Sequence, residues 1–599
     1  MVKSFAVALM NRFEKLGSMK DLVATLRYNA EAVKITPPGH PEYSERLQHF
    51  AASFAKRFMQ LGDQQDLVCA HFLYNLSSAY KPSDPEFSWH SALSWADLAK
   101  RFQPEYCLRA FSVAFNLLPE VLWVGHSIPV RHDAVHRVGV GSATSNAVNT
   151  CLGLKNPTAA VEFMEQGLAT VFQQMLQLKT NVDQLPAVQA KEFQTMSSQL
   201  YTRAFADLLE LVVDRNNLLA EIRKQPDAES FLLPKSYKDL RNASQAGPVV
   251  ILNAHEDACH AIIILTPSSE PVYFAINVTV EQLEGQKTFM KKLLRRCHVR
   301  SGRDSGTSRL FGHMEEFSVK GTQECFTDLL TWIWTRIVQP VYQALESHGI
   351  SKGRLWWLPT GAFTSLPLHA CPPTDHFVHS YTATLGSLIE ARARKPSNMK
   401  SEVGIVGVSY TDSSGANYLR GVQPEVSNIL TAIPKSLVKA LENQSATPQA
   451  VKTQLQDCSW LHLACHGKQD LSQPTKSHLL LYEGKLELET ILKMPLNNAE
   501  VVFLAACQTA MGDSQLVNES FHLGGGLITA GFRGAIGTTW AMNDQDGPIV
   551  AKTFYSHLFR DGRQPEATDA AEALHLAVKE LRDNNVSYER WIPFIHMGV

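Results

Sequence analysis

The last third of the chain carries four short apolar runs: EVGIVGVSY at 402–410, SWLHLACH at 459–466, AEVVFLAAC at 499–507 and RGAIGTTW at 533–540. Segments of helical character lie between them, around 423–433, 448–457 and 519–531. Each run is long enough for one strand and lacks polar alternation, so both of its faces need cover. Continuous apolar strands separated by helices dictate a mainly parallel sheet flanked by helices. A second series lies upstream, with PVVILNA at 248–254, ACHAIIILTP at 258–267, VYFAINV at 272–278 and RLWWLPTG at 354–361. The polar stretch KPSNMKSE at 395–402 reads as the linker between the two series.

The first hundred residues obey a different pattern. Arg12-Phe13, Arg57-Phe58 and Arg101-Phe102 recur 45 and 44 residues apart, and NRFEKLGSMKDLV at 11–23 aligns with KRFMQLGDQQDLV at 56–68. PEYS at 41–44 matches PEFS at 85–88, and AKRF occurs at both 55–58 and 99–102. A helical stretch follows each glycine turn, and a proline-rich loop separates it from the next helix, which is the signature of a helix-pair repeat. Such units stack because none can bury its apolar face alone. The stack then either offers a groove to a protein partner or caps the neighbouring domain, and the repeat pattern leaves both open.

From about 109 to 229 the helical character continues without a repeat. AVEFMEQGLATVFQQMLQLK at 160–179 places Val161, Phe163, Met164, Leu168, Val171, Phe172, Met175 and Leu176 on one broad face and reads as a connecting helical layer.

Composition excludes several classes. With 45% hydrophobic and 19% charged residues among 599, the chain has enough apolar surface to fold nearly throughout. The 56 Lys and Arg balance 58 Asp and Glu, so no overall field favours nucleic acid or an anionic membrane. The dense basic run KKLLRRCHVRSGR at 291–303 reads as the solvated end of a helix. The opening MVKSFAVALMNRFEKL has too short an apolar stretch and no small-residue cleavage site for a signal peptide, and no run approaches the ~18 residues of a membrane helix. A soluble, intracellular, cytoplasmic protein is expected. The ten cysteines form no C-x-x-C pair and read as reduced, mostly buried thiols. HEDACH at 255–260 has Cys259 where a zinc protease needs its second histidine, so no metal is expected.

Two runs end on reactive side chains. LHLACHG stops at His466 and VVFLAACQTA at Cys507, 41 residues later, with room between them for one loop, one hairpin or helix, and the next strand. In an open parallel sheet, catalytic groups collect at the carboxyl ends of strands. If the two strands are neighbours, the imidazole lies beside the thiol, lowers its pKa from ~8.5 and later protonates a leaving amine. Gly467 lacks a Cβ, so its N–H can approach a tetrahedral oxyanion together with that of Cys507, each such donor being worth ~3 kcal/mol. A histidine or cysteine that closes a strand is ordinarily structural, and the pattern alone leaves that reading standing. Cys465 is expected to point into the core.

LHLACHG, VVFLAACQTAMGD and HLGGGLITAGFRGAIGTTWAMNDQDGPIVAKTFYSHLF together resemble the CHAT domain, a caspase- and separase-like cysteine peptidase module often joined to tetratricopeptide repeats. RLWWLPTGAFTSLPLHA and YTATLGSLIEARA resemble its upstream part. The repeat block, LLPEVLWVGHSIPVRHDAV, AVEFMEQGLATVFQQMLQLKT and the ending WIPFIHMGV are similar to the fungal branch of the family. The resemblance implies a caspase-like sheet with His466 as general base and acid, Cys507 as nucleophile, and the Gly467 and Cys507 amides as oxyanion donors. It divides the chain into tetratricopeptide-like repeats at 1–125, a helical connection at 126–235, a supporting half of the CHAT region at 236–400 and a catalytic half at 401–599.

Separase-like enzymes carry an acidic residue after the strand that follows the cysteine strand, where it receives a basic substrate side chain. Asp544 and Asp546 in WAMNDQDGP lie at the matching place, and a carboxylate there would favour Arg or Lys. Asp546 also precedes Gly547-Pro548, which reads as a helix start with Asp546 as its cap. Asp470 and Asp513, in the loops after the two catalytic residues, are further candidates.

No G-x-S-x-G elbow is present, and GGGLITAG at 524–531 lacks the Gly-Lys-Ser/Thr ending of a phosphate loop, so its glycines are expected to let a helix pack closely. GSATSN at 141–146 reads as a turn. The expectation is an α plus α/β protein that hydrolyses a protein substrate through Cys507 and His466, without metal or other cofactor, under a protein regulator bound to the repeats. The alternative is a catalytically silent scaffold built on the same sheet and repeats.

Overall fold

The computed structural model describes all residues except 1, 82, 180–181, 183–184, 201–207, 227, 298–320, 374, 395–401, 411–417, 471–472 and 506–522. They form two compact units, Met1–Gly167 and Leu168–Val599.

The first unit is built from paired helices: Val2–Leu16 with Met19–Lys34, Tyr43–Leu61 with Gln64–Ala79, and Pro85–Phe102 with Cys107–Asn116. The repeat in the sequence is a repeat in space. Gly17 and Gly62 take the left-handed backbone conformation, with φ of 68° and 72°, and turn the chain back on itself. Across each turn a guanidinium grips a carboxylate nine residues on: Arg12 donates to Asp21 at 2.7 and 2.5 Å, and Arg57 to Asp66 at 2.7 and 2.5 Å. In the third pair Pro104 opens a short 3-10 turn in place of the glycine, and position 110 is alanine, so the clamp is absent there.

One expectation fails in the helical region, and one helical segment proves to be divided. GSATSN is not a turn but lies inside the helix Val140–Gly153, because Val140, Ala143, Ala147 and Val148 give that segment a buried apolar stripe. The 160–179 segment is two helices, Pro157–Gly167 and Thr170–Leu178, broken at Ala169 with φ 46°. Periodicity alone could not see the break, since apolar residues continue across it.

The second unit is organised around one sheet of eleven strands. They are β1 (Val249–Asn253), β2 (Cys259–Ile264), β3 (Val272–Ile276), β4 (Gly353–Pro359), β5 (Phe377–Tyr381), β6 (Val403–Gly407), β7 (Val438–Glu442), β8 (Trp460–Ala464), and, after a three-strand excursion β9 (His466–Lys468), β10 (His478–Leu481) and β11 (Gly484–Glu487), the strands β12 (Val501–Ala505), β13 (Gly534–Thr538) and β14 (Phe594–Gly598). The order across the main sheet is β3-β2-β1-β4-β5-β14-β13-β12-β8-β6-β7.

The seam of that sheet is the chain's last strand. β14 runs parallel to β5 but antiparallel to β13. Since β1, β4 and β5 are mutually parallel, as are β6, β7, β8, β12 and β13, the two halves run in opposite directions. The carboxyl ends of β6, β8, β12 and β13 therefore share one rim, while those of β1, β4 and β5 lie on the other. β6, β8, β12, β13 and β14 are buried along their whole length, as apolar runs without alternation require.

The helix Val422–Ala432 packs on Gly547–Leu558, which packs in turn on Ala570–Asp583 above β5 and β14. The GGGLITAG glycines lie in the helix Leu523–Ala530, where a Cβ on Gly526 would come within 2.5 Å of Leu488. Among the described residues no helix is long and apolar enough to cross a membrane, and no group of three or more His, Cys, Asp or Glu is arranged to hold a metal ion.

Candidate active site

β8 and β12 are direct neighbours in the sheet, parallel and aligned from Trp460 beside Val501 to Ala464 beside Ala505. At the end of β8 the chain bends at Cys465, which is buried, and His466 opens β9 with its side chain half-buried. Cys507 is two residues beyond Ala505, as His466 is two residues beyond Ala464; Cys507 and Asp513 lie outside the described residues.

The excursion after β8 is a small antiparallel sheet in the order β11-β10-β9. His466 is opposite Leu480 and Gly467 opposite Leu479. Directly opposite residues of an antiparallel pair project from the same face with Cβ atoms ~5 Å apart, so Leu480 stands beside the imidazole. Leu479, Leu481 and Leu486 are buried while Leu480 is half-buried, so the small sheet has a core face and an open face, and His466 is on the open one. Asp470 follows β9 and folds its own loop, accepting the Gln473 N–H at 2.9 Å while its N–H donates to Ser477 Oγ.

The spacing left a hairpin or a helix open between the two runs, and the structure has the hairpin, β10–β11. In HLLLYEGKLELE the buried leucines alternate on either side of Glu483-Gly484, Leu479 with Leu481 and Leu486 with Leu488, and the turn takes φ 53° at Glu483.

The family model for the CHAT domain matches residues 327–599. The chain carries a CHAT domain. The match takes in β4 to β14, that is, both halves of the sheet across the seam, and leaves β1 to β3 outside it. No curated protein matches the chain. Among solved structures, the RgpB pro- and mature-domain complex of Porphyromonas gingivalis aligns at 12% identity over 44% of this chain and 68% of that one, with a TM-score of 0.34. The Saccharomyces cerevisiae separase–securin complex aligns at 9% identity over 100% of this chain, with a TM-score of 0.43, and this chain spans 50% of the yeast chain's length.

Within the CHAT domain the two acidic candidates after β13 part company. Asp544 is half-buried, and its Oδ2 accepts the Gly421 N–H at 2.7 Å, which puts the carboxylate at the N-terminus of the helix Val422–Ala432. A cap supplied from another segment was not legible in the sequence. Asp546 is 0% exposed and accepts two hydrogen bonds from Arg590, at 3.0 and 2.5 Å. The expected side-chain cap on Gly547–Leu558 is not made; only the Asp546 carbonyl serves that helix, accepting from Ile549 and Val550. With both oxygens on a guanidinium and no exposed surface, Asp546 presents nothing to a substrate.

Beneath the site lies a polar group that is not among the candidates read from the sequence. His462, on β8, is 0% exposed between Glu425, 3.0 Å from Nε2, and the Tyr555 hydroxyl, 3.2 Å from Nδ1. Burial, reinforced by the Glu425 carboxylate, pushes the Tyr555 hydroxyl well above its ordinary pKa, so it remains a donor to Nδ1 while Nε2–H donates to Glu425. The three residues come from β8 and the two helices that cover it, and the network pins that layer below the rim.

Proposed function

We propose that the CHAT domain is a cysteine peptidase acting on a protein substrate through Cys507 and His466. One observation carries the reading: Ala464 and Ala505 are aligned neighbours, and each is followed two residues later by a member of the pair. Two residues of chain reach at most ~7 Å, a tether from Ala505 that supports pairing the thiol with His466 at this rim.

In the first step His466 takes the thiol proton as Sγ bonds to the substrate carbonyl carbon, and the carbonyl electrons move to oxygen. The Gly467 and Cys507 amides are the oxyanion donors in this reading. Collapse of that intermediate breaks the C–N bond, and His466 returns the proton to the leaving amine. Water then enters by the same path: His466 takes its proton, the thioester is hydrolysed, and the acid product and free thiol are restored. Asp544, at the same rim, and Asp470, in the loop after β9, are the described candidates for a basic substrate side chain.

The half at 236–400 acts as support, since the carboxyl ends of its parallel strands face the opposite rim. The repeats at 1–125 are the surface for a protein regulator, with 126–235 connecting them to the domain.

The test is labelling by a peptide electrophile at near-neutral pH, with the modified cysteine mapped by mass spectrometry. Cys507 is expected to react far faster than the other nine cysteines, and His466→Ala to abolish the difference. Equal reactivity of Cys507 and the others would sink the peptidase reading in favour of a silent scaffold.

A further inference from the structure

Resting on the peptidase reading, a specificity element can be located on the side of His466 away from β12. β6 is the other neighbour of β8, with Gly407 beside Ala464. The chain does not leave the sheet at Gly407. Val408 donates its N–H to the Ala464 carbonyl at 2.8 Å, and Ser409 donates to Asn443 Oδ1 at 2.9 Å. Tyr410 is therefore two residues beyond a bonded partner of Ala464, as His466 is two residues beyond Ala464 itself. The strand that ends before His466 is flanked by β12 on one side and, on the other, by the chain that carries Tyr410.

Tyr410 is not alone there. Its ring meets Tyr482 edge-on, with centroids 6.3 Å apart and planes at 79°. Tyr482 begins the turn of the β10–β11 hairpin, two residues after Leu480, and its N–H is fixed by the Ala446 carbonyl at 3.1 Å. Leu480 is the residue opposite His466. All three side chains are only half-buried, so an apolar shelf of two aromatic rings and a leucine adjoins the imidazole on the side of β8 away from β12. An edge-to-face pair of this kind is a preferred aromatic geometry and leaves ring surface for a third apolar group.

The chemistry decides which part of a substrate meets the shelf. The acyl carbon goes to Cys507, whereas the nitrogen of the broken bond receives its proton from His466. The residue carrying that nitrogen must lie against His466, with its side chain directed away from the thiol. We propose that Tyr410, Tyr482 and Leu480 bind the side chain of the residue immediately after the scissile bond and select an aromatic or branched apolar residue there.

A peptide library digested by the full-length protein, with new amino termini identified by mass spectrometry, tests this directly. Wild type is expected to yield new termini enriched in Phe, Tyr, Leu or Ile. Tyr410→Ala and Tyr482→Ala should lower kcat/KM for a matched apolar peptide about ten-fold relative to its alanine analogue, the scale of one pocket contact, while the phenylalanine variants retain the preference. Tyr410→Lys places a charge on the shelf without requiring a cavity and should shift the enrichment towards Asp and Glu. If wild type cleaves in a Cys507-dependent way but its new termini show no apolar enrichment, or if Tyr410→Ala and Tyr410→Lys leave that enrichment unchanged, the shelf is not a subsite and the peptidase reading survives. If wild type neither cleaves nor labels at Cys507, both readings fall together.

Discussion

Arg590 grips Asp546 with two hydrogen bonds, at 3.0 and 2.5 Å, across 44 residues of sequence. The pair ties the short helix Tyr588–Trp591, which leads into β14, to the loop after β13, and so closes the seam between the two halves of the sheet. The same loop holds the helix Val422–Ala432 through Asp544 and Gly421.

Removing one partner leaves the other uncompensated in a partly dry site, at a cost of about 3 kcal/mol. Asp546→Ala should therefore lower the urea midpoint of the domain substantially, whereas Asp546→Ala combined with Arg590→Met should recover part of the loss. A single variant that unfolds at the wild-type midpoint would mean that Arg590 finds another partner or water.

Gly421 has no room for a side chain. A Cβ there would sit 1.9 Å from the Asp544 backbone oxygen, and backbone cannot swing aside as a long side chain can. Gly421→Ala must displace the loop or the helix N-terminus, and overpacking of this kind costs about 1–3 kcal/mol. The expected readout is a lower melting temperature together with slower labelling of Cys507, since the loop belongs to the rim. Unchanged values for both would show that the loop yields freely.

The sheet was legible because continuous apolar runs admit one kind of environment, and the repeat was legible because Arg12 and Arg57 occupy equivalent positions. What stayed hidden depends on distant pairing. Nothing local in FIHMG says that this strand will join β5 to β13 and reverse the direction of half the sheet. Asp546 carries the local signature of a helix cap, but Arg590 supplies a stronger charge-assisted partner from far along the chain. Of the candidate site, the pairing of β8 with β12 is what the two runs made legible. The shelf beside His466 was not, because Tyr410 and Tyr482 meet only after β6, β8 and the hairpin are in place.

Acid should weaken the sheet through its histidines. His369 Nε2–H donates to the Ile592 carbonyl at 2.8 Å and Nδ1 accepts from the Tyr381 hydroxyl at 2.9 Å, so the ring is held neutral, and burial lowers its pKa to about 4. Burial drives His379 and His596 well down too. The unfolded chain takes up a proton below its ordinary pKa of ~6.5, while the native ring does so only near its depressed value. The stability from this group is complete above ~6.5 and is lost progressively as pH falls, reaching about 3 kcal/mol for His369 near its native pKa. Urea unfolding between neutral pH and pH ~4.5 should show this slope, and His369→Gln, although less stable at neutral pH, should show a shallower one. Equal slopes would place the acid sensitivity elsewhere.

The repeat clamp makes the last prediction, about the first unit alone. Asp66 is 1% exposed and accepts from Arg57 at 2.7 and 2.5 Å, whereas Glu14 meets Lys56 at 2.9 Å with both side chains over 40% exposed. Coulomb attraction at the exposed pair is screened by water and offset by side-chain entropy, so Glu14→Gln should change stability by less than about 0.5 kcal/mol. Asp66→Asn keeps the shape but removes the charge and one acceptor from a buried site, leaving the Arg57 guanidinium half-satisfied, at about 2 kcal/mol. Comparing the two by denaturant unfolding of the full chain, followed by a tryptophan signal from Trp89 and Trp95 with the other tryptophans replaced by phenylalanine, separates the contributions. If the two substitutions cost the same, the nine-residue spacing from Arg57 to Asp66 is a coincidence of the repeat rather than the clamp that closes the first two helix pairs.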